Sequence, residues 1–241
     1  MATNRKNARW AGVFYILATV APILTLPFVG FLGGGVAGEP VPDYLARAST
    51  NEPQVVMGMF VELIWALAVV GIVVTLFPIL KEYNEALALG FSGLRFMEAM
   101  STMIHSIILL SLLTLSQEYA AIRVPDASYL QTAGTLLLAA RKWTFLIGSG
   151  LVWSLSALLL NYLLYQGTLI PRWLSVWGLV GAVLSFANYL PQSFGMDSAE
   201  ILFFPIALQE MVFAVWLIAK GINSSAIART STSTRNQVAT L

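Results

Sequence analysis

An all-α bundle of six membrane-spanning helices, with short interfacial helices on the outer side and both termini in the cytoplasm, is the fold this sequence predicts. Three observations predict it. Of 241 residues, 58% are hydrophobic and only 10% charged, against about a quarter charged in soluble domains. Six apolar runs are each long enough to cross a hydrocarbon layer about 30 Å thick. Lys and Arg also crowd one side: Arg5, Lys6, Arg9, Lys81, Arg172, Lys220, Arg229 and Arg235 stand against Arg47, Arg123, Arg141 and Lys142 opposite. That asymmetry keeps the richer side in the cytoplasm. Acidic residues 39, 43, 52, 118, 126, 197 and 200 then all fall outside.

Whole classes of function are excluded at this level. A net charge of +1 provides no basic stripe to neutralise phosphates, so no nucleic acid is expected as a partner. The absence of cysteine removes disulfides, thiolate catalysis and sulfur-rich metal sites. A single histidine, His105, forbids a multi-histidine metal cage. No composition break interrupts residues 10–222, which predicts one membrane domain over 1–222. The tail 223–241, rich in Ser, Thr and Asn without an apolar period, is expected to be disordered.

The first helix follows Arg5, Lys6 and Arg9 and runs from about residue 10 to 32. It exceeds the roughly 7 to 15 apolar residues of a secretory leader, so it reads as a retained span. Pro22 and Pro27 should kink or break its outer half unless neighbouring helices re-satisfy the freed carbonyls. Gly33 to Gly35 then end it, and in the polar loop that follows Asp43 to Ser49 can form a short surface helix. The second span covers about 55–80 and contains Glu62; after the Lys81–Glu85 turn the third covers about 86–115.

Residues 118–142 are the longest connection. Within it Tyr129 to Ala140 suits an interfacial helix or an upward extension of the next span, and Arg141 with Lys142 marks the water boundary. The fourth span, 143–165, ends with Tyr162 and Tyr165 at a depth suited to aromatic belts. The fifth, 173–190, places Gly178, Gly181, Ala182 and Ser185 at three- and four-residue spacing, which lets membrane helices approach closely. The Gly178, Gly181 and Ser185 face is therefore also a candidate oligomer contact. The sixth span, 201–219, holds Pro205, Gln209 and Glu210.

Function points to the third span. At helical spacing Arg95, Glu98, Thr102 and His105 share one stripe with Leu109, Leu112 and Ser116. Its flanks are too apolar for water, and ionisable residues within a span are by default a site hypothesis. Counting about 1.5 Å per residue from each span's middle puts Glu98 and Glu210 near the midplane, with Glu62 and His105 roughly 6 to 8 Å toward the outside and Arg95 roughly 9 Å toward the cytoplasm. Arg95 should pair with Glu98 on its own helix and with Glu210 across the bundle, and Glu62 with His105. The five groups are expected to converge in one polar pocket opening outward, with Gln209 as a sixth candidate ligand contact. Fully ionised, they carry three negative and two positive charges, so one carboxylate should be protonated or await a cation. A carboxylate and histidine trio of Glu62, Glu98 and His105 is geometrically open to a metal, but none is expected, and no cofactor is indicated. The Trp, Met and Phe side chains read as lipid-facing or packing residues.

The wording of four segments, residues 76–99 (LFPILKEYNEALALGFSGLRFMEA), 112–117 (LLTLSQ), 171–179 (PRWLSVWGL) and 205–223 (PIALQEMVFAVWLIAKGIN), resembles the bacterial multi-pass membrane proteins grouped as domain of unknown function family 4386. The resemblance extends from the first span to Asn223. It implies a prokaryotic inner-membrane protein, and it transfers an architecture without a catalytic role.

Three readings of function follow from the residues. A carrier or binding protein for a small or amphipathic ligand or a proton would use the opposed orientation of two three-helix halves, with Glu98 and Glu210 on equivalent third helices. An enzyme acting on a lipid-like substrate would use a buried carboxyl as acid, partnered by His105 or Glu62. A structural or sensory subunit would use the charges only to lock the bundle. Membrane lipids are partners in every case. No nucleophile elbow, His-Glu-x-x-His or phosphate-binding glycine loop is present.

Overall fold

In hydrocarbon every backbone N–H and C=O must be satisfied within the chain, so a sequence this apolar has little choice but to form helices. The computed structural model describes residues 2–29, 40–121, 128–197 and 200–223, and among these it is helical without a strand. Its helices are α1 (Ala2–Val29), α2 (Val41–Thr50), α3 (Glu52–Leu80), α4 (Glu85–Ala121), α5 (Ser128–Thr144), α6 (Trp153–Gln166), α7 (Arg172–Gln192) and α8 (Phe204–Ala219). A π-helical stretch, Phe145–Val152, joins α5 to α6 without a break, and a 3-10 turn, Glu200–Phe203, leads into α8. Six of the resulting rods are long and apolar enough to span a membrane. Gly33 to Gly35, expected to end the first span, and the tail from residue 224 lie outside the described residues.

Two expectations about the elements change and one open alternative is resolved. The first helix is not broken at Pro22 or Pro27 but continues through both to Val29, held between α3 and α8. The third span does not stop near 115 but continues to Ala121; at about 1.5 Å per residue its 37 residues reach roughly 55 Å, well past the hydrocarbon. The fourth span begins at Ser128 rather than Trp143, so residues 129–140 are its extension and form no separate interfacial helix. In the sixth, Pro205 stands in the first turn of α8, where its missing N–H costs nothing. Asn84 starts α4 by accepting the Leu87 N–H at 3.0 Å on its side chain, an ordinary helix cap.

The six spans form a ring in sequence order, each packed on the next, with α8 returning to α1. Small residues set the closest approaches: a Cβ added at Gly12 of α1 would come within 2.5 Å of the Ala214 carbonyl of α8, and one at Gly71 of α3 within 2.7 Å of the Phe14 ring. The Gly178, Gly181 and Ser185 face is consumed inside the chain. Gly178 abuts Asn161, a Cβ on Gly181 would stand 3.0 Å from Ile206 backbone, and Ser185 meets Ser154 at 3.0 Å. Within the chain α6 and α8 fill this face.

Toward the end of the ring where α1 begins and α8 ends, the interior is an apolar core including Leu76, Leu80, Phe91, Leu164, Leu174 and Leu217. Toward the opposite end it divides. Tyr44, Leu45 and Ala48 of α2 pack on Leu109 and Leu112 of α4, while Leu146, Trp153, Ala182 and Ile206 form a second cluster. Many exposed side chains of the spans are large and apolar, among them Leu67, Val74, Met100 and Ile107. Polar inside and apolar outside is the arrangement a lipid solvent selects.

Candidate functional site

The α4 stripe faces the interior of the ring along its whole length: Arg95, Glu98, Thr102, His105, Leu109, Leu112 and Ser116 are all buried. Glu62 and Glu210 are buried as well, at 1% and 7% exposure. The charges expected in one outward-opening pocket instead form two clusters that satisfy one another. The reason is geometric: Glu98 and His105 are seven residues apart on one helix, about 10 Å, too far to share one partner.

The first cluster is centred on Arg95. Its Nη1 donates to Glu98 Oε2 at 2.9 Å, and its Nη2 reaches Glu210 Oε1 at 3.2 Å and the Tyr15 hydroxyl at 3.3 Å. Glu210 also accepts from Trp153 Nε1 at 3.2 Å on Oε1 and from Thr19 Oγ1 at 3.2 Å on Oε2. The guanidinium lies over the rings of Tyr15 and Phe91, 5.4 and 5.8 Å from their centroids, a favourable place for a desolvated cation. Four spanning segments thus contribute: α1, α4, the fourth rod and α8.

The second cluster is centred on Glu62 of α3. Its Oε1 accepts from Arg141 Nη2 and lies 3.3 Å from His105 Nδ1. Its Oε2 is 2.8 Å from Ser106 Oγ, and Arg141 Nη1 also donates to the His105 carbonyl. Arg141 was assigned to the water boundary; it is in fact completely buried. The neighbouring α4 extends a further turn and more beyond the expected span end, and α5 packs along it, so Arg141 remains inside the bundle while Lys142 points out.

Two hydroxyls stand on α4 between the two clusters. Thr102 Oγ1 donates to the Glu98 carbonyl at 3.0 Å, and Ser106 Oγ stands 3.1 Å from the Thr102 carbonyl as well as against Glu62. One hydroxyl proton cannot serve both acceptors at once, so Ser106 is a two-position donor.

Gln209, the sixth candidate, does not join either cluster. It is one residue from Glu210 and therefore points about 100° away, where its Nε2 lies 3.3 Å from both Asn161 Oδ1 and the Leu174 carbonyl. The metal trio of Glu62, Glu98 and His105 does not assemble, since Glu98 belongs with Arg95. Residues that sequence reasoning missed are Arg141, Ser106, Tyr15, Thr19 and Trp153. Of these Tyr15 and Trp153 carried a usable signal: a phenol or indole within a span needs a hydrogen-bond partner when buried.

A family model described as Domain of unknown function (DUF4386) matches residues 10–221. No curated protein and no solved structure matches the chain.

Proposed function

The chain belongs to the DUF4386 family, as a multi-pass helical membrane protein, and we propose that it binds or moves a small or amphipathic ligand or a proton through the charged interior of its helix ring. One observation carries this reading: among the described residues three buried carboxylates, Glu62, Glu98 and Glu210, face two guanidiniums, those of Arg95 and Arg141. A neutral interior then needs one further positive charge, supplied by a proton or a cationic ligand. His105 beside Glu62 is a second place for that proton. The third helices of the two halves also meet here, since Glu98 and Glu210 share Arg95, as an inverted-repeat carrier would arrange a midplane site.

The test is flux in proteoliposomes under an imposed pH gradient. Proton or ligand movement that is present in the wild type and abolished in Glu98→Gln or Glu210→Gln supports the reading; flux unchanged in both variants refutes it. A structural role is favoured by a different observation, namely that every one of these charges has a partner within the chain. It predicts variants that lose stability in a protein that shows no flux to begin with.

We place both termini in the cytoplasm and the chain in the inner membrane, because the Lys and Arg excess persists when buried Arg141 is withdrawn from the count. Single cysteines at Asn223 and Gly195, probed with an impermeant maleimide on intact cells, should be protected and labelled respectively. The reverse pattern inverts the topology.

A further inference from the structure

We propose that the exchangeable proton of this interior is held by Glu98, with Glu62 and Glu210 acting as fixed anions. The inference rests on the charge-balance reading above and assigns it to one residue. Each cluster can be counted separately. Glu62 has one guanidinium to itself, from Arg141, with Ser106 on its second oxygen and His105 alongside. In the Arg95 cluster two carboxylates share a single guanidinium, so the surplus negative charge arises there.

Within that cluster the two carboxylates are treated unequally. Glu210 has donors on both oxygens: Arg95 and Trp153 on Oε1, Thr19 on Oε2. Glu98 accepts one side-chain hydrogen bond, from Arg95 Nη1 on Oε2. The fewer donors a desolvated carboxylate has, the more its charge costs; a proton on Glu98 removes the charge that the cluster supports with one donor against three for Glu210. Next to it Arg95 Nε is a fully buried donor without an acceptor. The carboxylate with the fewest donors thus stands beside a buried donor that lacks an acceptor, which is where a protonated carboxyl or a transferred proton has room to act.

The groups that face Glu98 are consistent with this. Its own helix supplies Arg95, α1 supplies Tyr15 and α8 supplies Glu210, all through the same guanidinium. The fourth rod's Trp153 donates to Glu210 rather than Glu98, and its Arg141 is engaged with Glu62 of α3 in the other cluster. Release of the proton leaves Glu98 as a carboxylate on Arg95.

Infrared difference spectroscopy on the purified full chain in lipid, stepped through pH, reads this directly as the carbonyl stretch of a protonated carboxyl. The wild type should show the band. Glu98→Gln should remove it, Glu98→Asp should shift its frequency in a protein that still folds, and Glu62→Gln and Glu210→Asp should leave the frequency unchanged. A band that survives Glu98→Gln, one that shifts in Glu210→Asp instead, or no band in the wild type at any pH overturns the assignment. The flux experiment fails independently: a Glu98 band in a protein without flux refutes the carrier reading and leaves this one standing.

Discussion

The sharpest test of the architecture compares Arg141 with its neighbour Lys142. Arg141 is wholly buried and donates to both Glu62 and the His105 carbonyl, whereas Lys142 is exposed. Replacing Arg141 with Met keeps an unbranched apolar stem and removes the guanidinium, leaving Glu62 buried with a hydroxyl and an imidazole alone. Breaking a buried pair from one side costs about 3–5 kcal/mol. For a chain of this size about 2–4 °C per kcal/mol applies, so the melting temperature of the detergent-solubilised protein should fall by roughly 6–20 °C. Lys142→Met removes the same charge from water and should cost no more than about 0.5 kcal/mol. In Arg141→Met combined with Glu62→Met both charges leave together, and most of the lost stability should return, because an apolar pair of similar volume is often as good as the buried ion pair. Thermal unfolding followed by intrinsic tryptophan fluorescence measures all three. Equal, small effects of Arg141→Met and Lys142→Met would put Arg141 at the water boundary and dissolve the second cluster.

Three further outcomes are expected. A Cβ at Gly148, in the π-helical stretch, would collide with Ser101, whose hydroxyl donates to the Thr144 carbonyl at 2.8 Å; Gly148→Ala should cost about 1–3 kcal/mol as overpacking, and adding Ser101→Gly should restore most of it in the same melting assay. Gly178→Ala should push Asn161 away and break its contact with Gln209, whereas Gly93→Ala meets nothing within 4 Å and should stabilise by up to about 1 kcal/mol through helix propensity. Ser106→Ala removes one donor from Glu62 and should cost about 0.6 kcal/mol, the average for a hydrogen bond between membrane helices, measurable by a double-mutant cycle with Glu62→Gln.

Much of the fold is legible in the sequence because the bilayer imposes a length and a composition on every span, and those are properties of a contiguous segment. The α4 stripe is legible for a similar reason, since residues spaced by three and four must share a face whatever that face meets. What the sequence leaves open is azimuth, the direction in which each helix turns its faces, because that is decided by other helices. Gln209 and Glu210 have nearly the same depth, yet only Glu210 reaches Arg95. Gly178 and Gly181 announce a close approach without saying that α6 and α8 of the same chain make it.

Arg141 shows why a local boundary signal can mislead. An Arg-Lys pair after a mixed connection reads as the water interface, and for Lys142 that reading holds. For Arg141 it fails because depth within the bundle is set by how far the neighbouring helices extend, and α4, α5 and α2 together carry the packed interior well past the nominal end of the span. Trp153 and Tyr15 belong to the same class. Each resembles a lipid-facing or packing aromatic in sequence, and each becomes a hydrogen-bond partner of the Arg95 cluster only once the ring closes α8 onto α1 and brings Glu210 opposite Arg95. The polar interior is therefore a property of ring closure, which makes the α1–α8 contact through Gly12 and Ala214 as necessary to the charged site as the charges are.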